Sequence, residues 1–225
     1  MDSKVWCFSL LYMFTTTNSY AIAYFLPIIL RDGMGFDVAK AQCLVAPPYV
    51  LAAMVMFVQA YYGDKWHLRG PIIAGNALLG RIYLQASSGL NRLTFSPGIL
   101  GLGLLGYSHN NGVRYFGVFL ATTSANANCP ALLTYQANNI RGQWKRALTS
   151  ATLIGGGAIG GIIGTTVFRA KDAPNHTPGI LACLIANALT VVLVGLLTLK
   201  FWRANKRVDA GGKKIEGLAG FKYTY

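Results

Sequence analysis

The sequence predicts an all-α fold, a polytopic membrane helical bundle of six transmembrane helices, and three observations carry that prediction. Of the 225 residues 53% are apolar, and the mean hydropathy is +0.42, too apolar for a soluble domain of this size. Long uncharged runs follow one another along the chain. The run from Ala147 to Phe168 carries no charge over 22 residues, enough to cross a hydrocarbon core of roughly 30 Å at about 1.5 Å per residue. Finally, the basic residues that bring the net charge to +13 fall between these runs. They are not gathered with interleaved aromatics, so no nucleic-acid partner is expected and the lipid bilayer is.

The first span, about residues 5–30, is polar in its middle, with Thr15, Thr16, Thr17, Asn18, Ser19 and Tyr20, then Tyr24. Polar side chains at membrane depth face protein or a water-filled cavity, because lipid cannot satisfy them. Tyr20 and Tyr24, four apart, share a helix face. Asn18, Tyr20 and Tyr24 are therefore candidates for a substrate cavity, with hydrogen bonding between helices as the alternative. Pro27 near the outer end of this span, and Pro47 with Pro48 at the start of the second span, about 43–62, predict kinked or tightly turned helices.

A short turn follows, with Gly63, Asp64, Arg69 and Gly70 in the pattern G-D-x-x-x-x-R-G. Asp64 at a helix end can pair with Arg69 across such a turn and tie two helices together. The third span, 71–108, is interrupted: PIIAGNALLG and ILGLGLLGYS together make one normal length, and residues 81–98 between them fit neither. Those residues are read as translated intron, or else as an excursion that must be buried in protein.

The fourth span, about 114–138, is the most polar and holds Asn126, Asn128 and Gln136 with Pro130 inside. A mid-membrane proline frees a carbonyl and bends the helix, so these three residues are further cavity candidates. Asn138 and Asn139 lie near the span's end, where capping or tying a loop is at least as good a reading.

After the basic turn with Arg141, Lys145 and Arg146 comes the glycine-studded span 147–168. Gly156, Gly160 and Gly164 fall four apart, and Gly157 with Gly161 repeats the spacing. Such a face lets another helix approach closely in lipid, where hydrophobicity does not drive apolar helices together. A hinge or substrate-contacting surface is the alternative. The last span is about 178–201, and residues 208–225 are expected to form a flexible cytoplasmic tail.

The loops orient the bundle. With both termini cytoplasmic, thirteen of the twenty Lys and Arg lie on inside segments and five on outside ones. The four cysteines are far apart and read as small apolar fillers. All seven acidic residues and all three histidines fall at span ends or in loops. No metal site, cofactor or catalytic pair is expected, and an enzyme has nothing to stand on. No span contains a carboxylate or a histidine, so unless Asp32 or Asp37 dips inward proton coupling would have to come from elsewhere.

The stretches YFLPIIL, APPYV, NNGVRYFGVFL, YQANNIRGQWKRA and FRAKDAP resemble the second half of fungal permeases of the anion:cation symporter family. The turn at Gly63, Asp64, Arg69 and Gly70 resembles the loop signature of the wider major facilitator superfamily. The likeness covers residues 2 to about 80 and about 99 to 207, and is closest to carriers of nicotinate, allantoate or pantothenate type. It implies a twelve-helix carrier made of two six-helix halves, of which residues 1–207 supply the C-terminal one. It also implies an N-terminal six-helix half as partner, a small organic anion or vitamin as substrate, a plasma-membrane location and alternating access about a central site. The competing expectation is a non-transporting membrane protein, either a truncated gene product or an interaction scaffold.

Overall fold

The structure is a computed structural model, and it describes residues 3–28, 30, 31, 35, 37–66, 73, 104, 110–168, 177–211, 215 and 221–224. These form an all-helical bundle of α1 (Ser3–Ile28), α2 (Val38–Trp66), α3 (Asn111–Asn139), α4 (Gln143–Val167) and α5 (Thr177–Asp209). The expected third span and the segment 81–98 lie outside the described residues, save Ile73 and Leu104. Among the described residues three helical segments are long and apolar enough to cross a membrane: Val38–Tyr62, Gln143–Val167 and Pro178–Asp209. Helices α1 and α3 are as long but carry the polar middles noted in the sequence.

The helices outrun the expected spans at the basic end. The turn expected to hold Lys145 and Arg146 shrinks to Ile140–Gly142, and both residues lie in the first turn of α4. Gly142 makes this reversal with φ +88°, a conformation that side-chain-bearing residues rarely adopt. Arg146 Nη2 then donates to Ala137 O at 2.9 Å and clips α4 back onto α3. At the other end of α3, Asn110 caps the helix by accepting from the Gly112 N–H at 3.0 Å. Prolines 47, 48 and 130 sit inside helices without ending them, whereas Pro27 stands one residue before the end of α1.

Residue pairing fixes the helix directions. Phe8 meets Tyr135, and Ser19 Oγ donates to Ala125 O, so α1 and α3 are antiparallel. Ser9 reaches Thr152 while Thr17 reaches Gly160, so α1 and α4 run the same way. Tyr115 donates to Leu44 O, and Phe57 and Ala60 lie beside Ala127 and Thr134, so α2 and α3 also run the same way. Lys200 of α5 donates to Ser3 Oγ and Phe201 meets Phe8, so the starts of α1 and α4 lie at one end with the finish of α3 and α5, where Lys4, Arg141, Lys145, Lys200 and Lys206 gather. Trp6, Trp144 and Trp202 are exposed at this same end, as aromatic anchors at a headgroup level would be.

The core has three layers along the bundle axis. An apolar cluster at the basic end joins Phe8, Leu11, Leu132, Tyr135, Leu197 and Phe201. A second cluster at the far end joins Phe25, Leu26, Val118, Ala121, Ile180 and Cys183. Between them lies a buried polar belt of Thr15, Thr16, Thr17, Asn18, Thr122, Asn128, Asn187 and Thr190. A soluble bundle buries its apolar layer and wets its polar one. Here the outer faces are apolar instead, with Phe57 80%, Ile162 68% and Leu196 59% exposed, as lipid contact requires.

Candidate functional site

Helices α1 and α4 share the most extensive contact in the bundle, and the glycines permit it. A Cβ at Gly156 would sit 2.8 Å from Ser9 O and one at Gly164 would sit 2.5 Å from Thr17 O; at Gly160 it would overlap Met13 O. The backbones meet along this row, and hydroxyls bridge them. Ser9 Oγ donates to Thr152 O at 2.8 Å. Thr16 and Thr17 each lie within 3.1 Å of an α4 carbonyl, at Gly157 and Gly160, while also bonding carbonyls of their own helix. A single hydroxyl proton is shared between these acceptors, so the cross-helix component is weak.

The second glycine row faces side chains. Gly157 lies against the Tyr12 ring and Gly161 against the Tyr20 ring, where a Cβ would come to 2.6 Å and 3.3 Å respectively. This side of the contact opens into a cavity of about 680 Å³ reaching Asn126 and Cys129 of α3 and Tyr49 of α2. Tyr12, Thr16, Tyr20 and Tyr24 line it at a spacing of four along α1. Tyr20 and Tyr24 stack with centroids 6.4 Å apart and are 46% and 63% exposed, so their rings are presented rather than packed away. Ser19, beside them, bonds Ala125 O and lies 3.5 Å from Cys129 Sγ. The described lining therefore offers hydroxyl donors, one carboxamide and aromatic faces, without a charged side chain. Among the described residues no cluster of three or more His, Cys, Asp or Glu could hold a metal.

The six expected cavity residues divide evenly. Tyr20, Tyr24 and Asn126 come together on the cavity wall. Asn18, Asn128 and Gln136 are buried in the bundle, each no more than 3% exposed. Asn18 donates to Phe14 O, its Oδ1 and that of Asn128 have no hydrogen-bond partner among the described residues, and Gln136 Nε2 lies 3.5 Å from Ser150 Oγ. Gly63 and Asp64 fall in the last turns of α2, but their side chains, like Arg69 and Gly70 altogether, lie outside the described residues. Sequence reasoning passed over Tyr12 and Tyr49. The spacing of four that linked Tyr20 to Tyr24 extends back through Thr16 to Tyr12, whereas Tyr49 follows two prolines and carries no such signal.

A helical bundle with apolar outer faces, several of its helices long and apolar enough to cross a bilayer, has the build of an integral, multi-pass membrane protein. Within that class the chain resembles the fungal major facilitator transporters. It is 26% identical over 209 residues to the high-affinity nicotinic acid transporter of Saccharomyces cerevisiae, covering 93% of this chain and 36% of that protein. It is 30% identical over 228 residues to the MFS transporter prlL of a Fungal sp. strain, covering 99% of this chain and 42% of that protein. A major facilitator-type transporter of Emericella nidulans, hxnP, is 26% identical over 198 residues, 86% of this chain and 37% of the relative. The chain thus spans less than half the length of the curated relatives it matches. No protein-family model matches the chain, and no solved structure matches it.

Proposed function

We propose that this bundle is the C-terminal half of a carrier that moves a small organic anion or vitamin-like solute by alternating access. The observation that carries the reading is the cavity between α1, α3 and α4, open to one side of the bundle and walled by Tyr20, Tyr24 and Asn126. In such carriers the solute sits at mid-depth between two halves that rock about it, and a half taken by itself presents its share of that site as an open groove. Hydroxyl donors and stacked aromatic faces suit a flat solute bearing hydrogen-bond acceptors. One relative's name specifies nicotinic acid, a pyridine carboxylate that fits this description.

In this reading residues 1–207 cross the plasma membrane six times with both ends cytoplasmic. The parallel run of α2 and α3 supports the sixth crossing, because successive helices that point the same way need a return between them. The gathering of basic residues and tryptophans at one end supports the cytoplasmic placement of that end. An N-terminal six-helix half is the partner against which this one rocks.

The test is uptake of labelled nicotinate, and separately allantoate, by cells expressing this chain together with the N-terminal half of a related transporter. Saturable uptake that falls with Tyr20→Ala and with Asn126→Ala is expected. No uptake of either solute from protein that reaches the membrane would instead favour the non-transporting alternative.

A further inference from the structure

Asn139 and Asn205 are fully buried or nearly so, at 0% and 2% exposed; Asn139 Nδ2 donates to Tyr135 O within α3, but the partners of Asn139 Oδ1 and of both ends of the Asn205 carboxamide come from outside the five helices. The Tyr223 N–H donates to Asn205 Oδ1 at 2.8 Å, and Asn205 Nδ2 donates to Tyr223 O at 2.8 Å. One carboxamide thus holds both backbone groups of one residue, as a neighbouring strand would. The Thr224 N–H donates to Asn139 Oδ1 at 2.9 Å. The Tyr223 ring stacks on Phe201 at 4.4 Å, and Lys4 Nζ both donates to its hydroxyl and lies over its ring. Arg141 covers Phe221 at 4.9 Å. The tail expected to be flexible from residue 208 onward is therefore held at residues 221–224 by side chains at the ends of the helices.

We propose that residues 221–224 are a latch that ties together the basic ends of α1, α3 and α5, and that its release loosens those ends. The holding side chains are Lys4 from α1, Asn139 from α3, and Phe201 with Asn205 from α5, so a docked latch bridges helices of both directions. Only about four residues dock, and the outer clip, Lys222 to Asp209 at 2.7 Å, is half exposed and adds little. A contact this small detaches without unfolding the helices it joins. Release leaves two buried carboxamides short of partners, and the cost of that is what makes the docked state specific.

Amide hydrogen exchange on the full chain in lipid nanodiscs tests this. The Tyr223 and Thr224 amides should exchange about 100-fold more slowly than in an unstructured peptide, because each hydrogen bond contributes a factor of several. Tyr223→Ala should abolish that protection and speed exchange about tenfold at the first turn of α1 and the last turns of α3 and α5. The middle of every helix should stay protected, which separates release from unfolding. Tyr223→Phe keeps the stacked ring and should retain most of the protection. Two outcomes overturn the proposal: peptide-like exchange at Tyr223 and Thr224 in the unaltered chain, or a Tyr223→Ala chain whose helix ends exchange as before.

Discussion

Gly160 and Gly155 are neighbours in the same helix and differ in only one respect that matters here. A Cβ on Gly160 would overlap the Met13 carbonyl of α1, which is backbone and cannot turn aside, whereas a Cβ on Gly155 meets nothing within 4 Å. Gly160→Ala should therefore force α1 and α4 apart and cost about 1–3 kcal/mol, the range for overpacking a close contact. Gly155→Ala should be neutral or slightly stabilising, since alanine is the better helix former by about 0.8–1 kcal/mol in a helix interior. Thermal unfolding of both variants in one detergent checks this, and equal midpoints would refute the close-contact account. Gly161 separates packing from transport in the same way. Its Cβ would come to 3.3 Å from the Tyr20 ring, the movable end of a side chain. Gly161→Ala should leave the unfolding midpoint nearly unchanged while shifting the ring on the cavity wall, and its effect should show as altered solute uptake. The glycine pattern was legible as an approach surface from spacing alone. That one row meets backbone and the other meets tyrosine rings was not, because it depends on which face α1 turns toward α4.

Along the α1–α4 contact, hydroxyls and bare backbone contribute unequally. The bonds from Thr16 and Thr17 to α4 carbonyls share a proton with bonds inside α1. In membranes such side-chain hydrogen bonds average only about 0.6 kcal/mol. Thr16→Val together with Thr17→Val should then cost about 1 kcal/mol, at or below the range given for Gly160→Ala. A double variant that loses more than the glycine variant would mean that the hydroxyls, not close packing, hold the pair. Five of the six expected spans fall on helices, because an uncharged run of membrane length leaves few other structures open. The ends were less legible. Lys145, Arg146, Lys206 and Arg207 look like loop residues by charge, yet they lie on helices that extend past the apolar run. A helix can carry its long basic side chains into the headgroup layer without breaking. Nor did composition reveal the docking of residues 221–224, since a polar and basic tail gives no sign of two buried asparagines waiting at the bundle end.

At the scale of the molecule the informative quantity is direction. The parallel pairs α1 with α4 and α2 with α3, set against the antiparallel pair α1 with α3, assign both ends of α1, α2, α3 and α4 to one of two sides. Lys65, in the last turn of α2, belongs with Lys145, in the first turn of α4, whereas Lys40 and Arg114, near the starts of α2 and α3, belong to the opposite side. The same division follows from charge counting, which uses no contact between helices, so two independent arguments meet in one prediction. With Cys7, Cys43, Cys129 and Cys183 first replaced by alanine, single cysteines at Lys40, Lys65, Arg114 and Lys145 can be tested with a membrane-impermeant thiol reagent. In intact cells Lys40→Cys and Arg114→Cys should be labelled, while Lys65→Cys and Lys145→Cys should react only after the membrane is opened. The pair that decides is Lys65 and Arg114, which bracket the segment between α2 and α3. Labelling of both from one side would make α2 and α3 antiparallel, remove the crossing between them, and with it the six-span half on which the carrier reading depends.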